Sequence, residues 1–173
     1  MLFRSPKHDI YYSKYHHCWG WATWKRSWSY YQDSLEDFEK FINSSQLLSL
    51  SSGEIGFERY WRKIYVDLCR GRFDSWAYRW LFSNWMNGAL SVMPRYSLSR
   101  NIGFDPDATH TKYTPSGISK NYSENWIVTS YAKPNKIERD REAEKIVSNY
   151  HYHCWIYSNK LVEILISILR FIK

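Results

Sequence analysis

Aromatic side chains recur at helical spacing through the first half of the chain, and that pattern limits what it can fold into. Trp21, Trp24 and Trp28 stand at i, i+3 and i+7 within WGWATWKRSW, which predicts one helix face with its rings turned inward. After a break at residues 31–33, Leu35, Phe38, Phe41 and Ile42 continue a helical stripe. Phe57, Trp61, Ile64 and Leu68 make the cleanest stripe in the chain, and Gly71 follows as its stop signal. A further helix is expected from Asp74 or Ser75, either of which can cap its free N–H groups. It would carry Trp76, Trp80, Ser83 and Asn84 on one face and end at Asn87-Gly88.

Between and around these helices the pattern changes. The first 18 residues are polar and aromatic with no clear period, and the Ser-rich residues 43–52 read as a loop with at most a short turn. Residues 89–93 read as a short buried strand closed by Pro94, and residues 98–104 as extended, running into the turn Asp105-Pro106-Asp107. Residues 111–125, rich in Ser, Thr, Gly, Pro and Asn, read as a loop. A charged surface helix is expected over residues 137–148, and a last, apolar helix over 158–173. The class is α/β: mostly helical with two or three short strands. A lone pair of strands is marginal by itself, so these read as additions to a sheet whose other members are absent.

The aromatic fraction of 19%, with 10 Trp and 15 Tyr, exceeds what packing a core of this size requires. Rings with a polar tip suit surfaces where one edge is buried and the other meets a polar ligand. A net charge of +7 favours anionic partners, but the basic residues are scattered with no run of five, which argues against nucleic acid. Cys18, Cys69 and Cys154 form no CxxC pair and no zinc spacing, which fits buried thiols in a reducing compartment. Arg4, Lys7, His8 and Asp9 interrupt any apolar leader. The terminal run from Leu161 to Ile172 is broken by Glu163 and Arg170, and its length, about 12 residues, falls short of the roughly 20 that span a bilayer. His16, His17, His151 and His153 have no acidic partner at ligand spacing and receive no role.

Three segments stand out in order: Tyr15-His16-His17-Cys18-Trp19-Gly20-Trp21-Ala22-Thr23-Trp24, then Asp74-Ser75-Trp76-Ala77-Tyr78-Arg79-Trp80, then Leu98-Ser99-Arg100-Asn101-Ile102-Gly103-Phe104-Asp105-Pro106-Asp107-Ala108-Thr109-His110-Thr111. Their order and spacing resemble the C-terminal half of bacterial sugar transferases of glycosyltransferase family two and the HlpA-like nucleotide-diphospho-sugar transferase group. The resemblance covers about residues 11–112 and weakens through Arg139-Asp140-Arg141. It implies a partial GT-A-like fold: residues 1–157 as the acceptor-side C-terminal half of the domain, followed by the 158–173 helix. It also implies transfer of a sugar from a nucleotide-sugar donor to a glycan or lipid-linked acceptor, with a divalent metal (Mn or Mg) as cofactor. The nucleotide-binding half would come from elsewhere, as from a separate chain, and the protein would be inactive without it. It would work in the cytoplasm, with peripheral contact at the inner face of the membrane.

On that resemblance an inverting transferase needs a carboxylate to take the acceptor hydroxyl's proton as its oxygen attacks the anomeric carbon. Asp74 is the candidate base; its other reading is a plain N-cap. Relatives carry TWDYQW where this chain has Ser75-Trp76-Ala77-Tyr78-Arg79-Trp80, so Ala77 stands where they have an acid. Asp107 and His110 are candidate contacts to a metal or the diphosphate, or a capped turn and its neighbour. Arg100 and Asn101 would meet phosphate or sugar hydroxyls, Arg with its planar fork, or simply face solvent. Trp19 and Trp76 are the rings expected to face the acceptor. The alternative function is a non-catalytic carbohydrate-binding or protein-interaction module using the same aromatic surface.

Overall fold

A computed structural model shows the chain coiled where the apolar stripes of residues 36–42, 55–69 and 76–86 run. The structure describes residues 8–18, 20–95, 98, 132–159, 161, 162 and 164. Strand β1 (Ile10–Ser13) is followed by helices α1 (Lys25–Trp28), α2 (Glu36–Ile42), α3 (Ser45–Ser51), α4 (Ile55–Cys69) and α5 (Trp76–Met86), then β2 (Ser91–Pro94) and α6 (Arg141–Ile146). Helix α6 passes directly into a π turn (Val147–His151), and a 3-10 turn (Cys154–Ser158) follows. The fold is mostly helical with a small antiparallel sheet: β1 pairs with β2, Ile10 opposite Pro94 and Ser13 opposite Ser91. On its other side β1 makes a single parallel bridge from Tyr12 to Arg139.

The core forms where the predicted stripes meet. Phe57, Trp61, Ile64 and Leu68 of α4 are buried, together with Phe38, Phe41 and Ile42 of α2 and Trp80, Leu81, Phe82 and Trp85 of α5. Trp61 sits at the centre with its ring 4.8 Å from that of Trp85 and 4.9 Å from that of Tyr152, both edge-on. Such edge-to-face pairs each contribute about 0.5–1.5 kcal/mol beyond burial. Gly71 ends α4 with φ +64° and Gly88 follows α5 with φ +62°, the left-handed conformation that closes helices.

Four expectations are corrected. The WGWATWKRSW helix shrinks to the single turn α1: Trp24 precedes it without a side-chain cap, Lys25 and Arg26 crowd it, and it buries nothing. Cations in a first turn oppose the helix dipole, and so short a helix needs packing it does not have. Residues 43–52 are not a loop; Ser44 accepts a hydrogen bond from Gln46 N and starts α3, which buries Leu47 and Ser51. The unpatterned N-terminal stretch contains β1. The helix expected over 137–148 starts at Arg141, with Asp140 as its cap, and is no surface helix, since Ala143 and Glu144 are buried.

Glu144 anchors a buried polar knot that joins β1, α3 and α6. Its carboxylate accepts from Lys14 N at 2.6 Å and from the Arg139 guanidinium at 2.7–3.0 Å. The Leu50 carbonyl accepts both Arg139 Nη2 at 2.9 Å and Lys14 Nζ at 3.2 Å. The Lys14 ammonium lies 3.8 Å from the centre of the Phe57 ring, and Trp85 Nε1 donates to the Lys14 carbonyl at 2.7 Å. A buried charge without partners would cost several kcal/mol, so the knot holds only as a complete set.

Candidate functional site

Three tryptophans outside the core, Trp21, Trp28 and Trp76, gather on one face at the start of α5. Gly20, with φ +65°, turns the chain into Trp21, and α1 then carries Trp28 to the same place. The Trp21 ring stacks on Trp76 at 5.5 Å and lies 6.1 Å from Trp80. The Trp28 ring is 5.1 Å from Trp80 and stacks almost flat on Tyr31 at 5.0 Å. Trp80 is buried beneath them, whereas Trp28 and Trp76 remain 43% and 44% exposed. The sequence reading placed most of Trp21, Trp24 and Trp28 in the core; instead Trp24 is exposed, with Arg26 5.1 Å from its ring, and Trp21 is half-buried. The interior is already filled by α2, α4 and α5, so the spacing builds a surface platform.

Asp74 lies on the rim of this platform. Ser75, not Asp74, caps α5: its hydroxyl accepts from Tyr78 N at 3.4 Å. Asp74 is thereby freed from the capping role, and its side chain is 86% exposed while pairing with the guanidinium of the mostly buried Arg79. Arg79 Nε also donates to the Asp33 carbonyl at 3.3 Å. The Tyr31 hydroxyl donates to Asp33 Oδ1 at 2.7 Å, and desolvation together with this bond raises the Tyr31 pKa to about 12. Gln32 N donates to Ser83 Oγ at 3.2 Å, so the loop carrying Tyr31 is tied to α5. Ala77, in the position where the resemblance expects an acid, is half-buried.

Under the platform, the His16 ring stands edge-on to Trp80 at 6.3 Å. Its Nδ1 is buried without a hydrogen-bond partner among the described residues, and burial lowers its pKa to about 4. His17 is likewise lowered to about 4 by burial and by the neighbouring His151 and His16; its ring meets His151 at 5.1 Å. These imidazoles are neutral near pH 7. Of the thiols, Cys154 is buried and pushed up to about 11 by burial, whereas Cys69 is exposed, not buried as expected.

Of the predicted site residues the structure brings together Asp74 and Trp76. Trp19, Arg100, Asn101, Asp107 and His110 lie outside the described residues, as do most of the extended stretch 98–104 and the loop 111–125. Among the described residues no group of three or more His, Cys, Asp or Glu side chains could hold a metal ion. Sequence reasoning missed Tyr31, Trp28 and Arg79 as site neighbours; the flat Trp28–Tyr31 stack spans three positions across a helix end, which helical periodicity does not report. No protein-family model matches the chain, and no curated protein or solved structure matches it.

Proposed function

We propose that the platform formed by Trp21, Trp28, Trp76 and Tyr31 seats a saccharide, with Asp74 addressing its hydroxyls, and that the chain is the acceptor-side half of a nucleotide-sugar-dependent glycosyltransferase. One observation carries the reading: half-exposed indole faces lie over the buried Trp80 beside a carboxylate that α5 does not consume as a cap. The apolar face of a pyranose covers an indole while its hydroxyls need polar partners at the rim. In a transfer step the acceptor hydroxyl would give its proton to the Asp74 carboxylate as its oxygen bonds the anomeric carbon. The nucleoside diphosphate would leave with the bonding pair. Asp107 and His110 are the residues that would approach a Mn or Mg ion, and the donor would be held by a half supplied from elsewhere. The setting proposed is cytoplasmic.

Two observations favour a second reading, a carbohydrate-binding surface without chemistry. Asp74 is already engaged by Arg79, and Ala77 stands where the resemblance expects an acid. Titration followed by tryptophan fluorescence measures oligosaccharide binding, and an assay with a supplied nucleotide-binding half separates the readings: sugar transfer from a UDP- or GDP-sugar with Mn supports the transferase, while binding without transfer supports the module. In either case Trp76→Ala weakens oligosaccharide binding by about tenfold, the worth of one lost stacking face. Unchanged affinity in that variant would sink both.

A further inference from the structure

The rim of the tryptophan platform carries cations that the fold itself does not use. Helix α1 consists of Lys25, Arg26, Ser27 and Trp28, with no acid in its first turn. Lys25 stands three residues before Trp28, so the two side chains are neighbours on one face of the turn. Lys25 and Arg26 are exposed, and among the described residues no carboxylate pairs with either. Arg26 lies 5.1 Å from the Trp24 ring, which is itself exposed. A cation at the start of a helix opposes its dipole, and this helix buries nothing, so stability explains neither residue. The acids at the platform are already engaged, Asp74 by the Arg79 guanidinium and Asp33 by the Tyr31 hydroxyl. The open charge beside the Trp28 ring is therefore positive.

We infer that the saccharide taken by this platform is acidic, its ring covering the Trp28 and Trp76 faces and its anionic group meeting Lys25 and Arg26. The inference rests on the saccharide reading of the platform and narrows it to one ligand class. An indole face accepts the apolar side of many sugars without telling them apart. Selection has to come from the polar groups at the rim, and charge is the largest difference that two sugars of one shape can carry. Galactose and galacturonate differ only at C6, a hydroxymethyl in one and a carboxylate in the other. A guanidinium takes a carboxylate or a phosphate with its planar fork, and an ammonium takes either as a point charge. Both anions are thus accommodated at α1, while a neutral hydroxymethyl gains nothing from it. The net charge of +7 would draw any anion to the chain at large; a built rim differs in that its own two cations carry the preference.

The test is titration of the full chain, followed by tryptophan fluorescence, with two matched pairs: oligogalacturonate against the neutral galactose oligomer, and mannose 6-phosphate against mannose. At least one acidic member is expected to bind about fivefold more tightly than its neutral partner, the worth of one exposed ion pair. The gap should close as salt rises, and the pair that shows it identifies the anion. The double substitution Lys25→Gln, Arg26→Gln is expected to remove the preference without lowering Tm. The double substitution Lys136→Gln, Lys145→Gln, which takes the same charge from exposed positions before and within α6, is expected to keep it. Equal affinity within both pairs overturns the inference and leaves the saccharide reading standing. So does an equal loss of preference in the Lys136, Lys145 variant, since net charge and not the α1 rim would then select. Failure of every sugar to bind overturns the saccharide reading itself, and this inference with it.

Discussion

Asp74 and Ser75 are adjacent good capping residues, and backbone geometry decides which of them works as the cap. Ser75 is the extended residue before α5, with φ −155° and ψ 108°, and its hydroxyl reaches Tyr78 N. The two side chains therefore fail differently. Ser75→Ala is expected to cost about 1 kcal/mol of stability, a fall of about 2–4 °C in Tm for a chain of this size, with saccharide affinity kept. Asp74→Asn is expected to leave Tm within about a degree, because an exposed ion pair contributes little, and to weaken oligosaccharide binding. Calorimetry and titration on the two variants check both. If Asp74→Asn melted lower than Ser75→Ala, the carboxylate would be structural and the site reading would lose its polar partner. Ala77, three positions on and half-buried, offers no such handle.

At the scale of elements, α4 is the scaffold, and its close approach to the 3-10 turn is possible because residue 56 has no side chain. A Cβ on Gly56 would enter the van der Waals radius of the Cys154 carbonyl oxygen and stand 3.1 Å from Ser158 N, both backbone atoms that cannot rotate away. Alanine gains up to about 1 kcal/mol over glycine in a helix interior, and less at residue 56, in the first turn of α4. Overpacking costs about 1–3 kcal/mol, and against fixed backbone the upper end applies. Gly56→Ala is thus expected to destabilise by about 2 kcal/mol in chemical denaturation; a stabilised variant would contradict this packing. The same elements show what a one-dimensional pattern reports. Helices α2, α4 and α5 were legible because each buries an apolar face at a 3.6-residue period, and β2 because Pro94 and a turn bound it. Strand β1 was not: its buried positions are Tyr11 and Ser13, the latter bonded locally by Tyr15 N, which makes no apolar alternation, and the buried Lys14 that follows is held by Glu144 and the Leu50 carbonyl. Helix α3 was hidden because serine serves equally as loop, cap and buried filler. At the site, Asp74 and Trp76 could be read from one local motif, but the platform needed α1 and α5 placed side by side.

Across the whole molecule, buried ionisable groups tie stability to pH. His16 and His17 titrate near 6.5 when unfolded and are held at about 4 by burial in the native state. Between those values the unfolded chain binds more protons, so stability is full above about pH 6.5 and is lost as pH falls toward 4. Two such shifts, reduced for partial solvation, amount to on the order of 3 kcal/mol, or roughly 10 °C in Tm at this size. Lys14 acts in the same direction at higher pH: burial lowers it to about 8 from 10.5, so stability increases as pH rises from 8 toward 10.5. Tyr11 acts the opposite way, since burial raises it to about 12 from 10.0, and stability is lost as pH rises from 10 toward 12. Through the two histidines the protein is expected to melt markedly lower at pH 4.5 than at pH 7. Calorimetry over that range checks the acid limb, and the double variant His16→Asn, His17→Asn should flatten it. A Tm unchanged between pH 7 and 4.5, or an equally steep fall in the double variant, would remove the histidines beneath the platform as its cause.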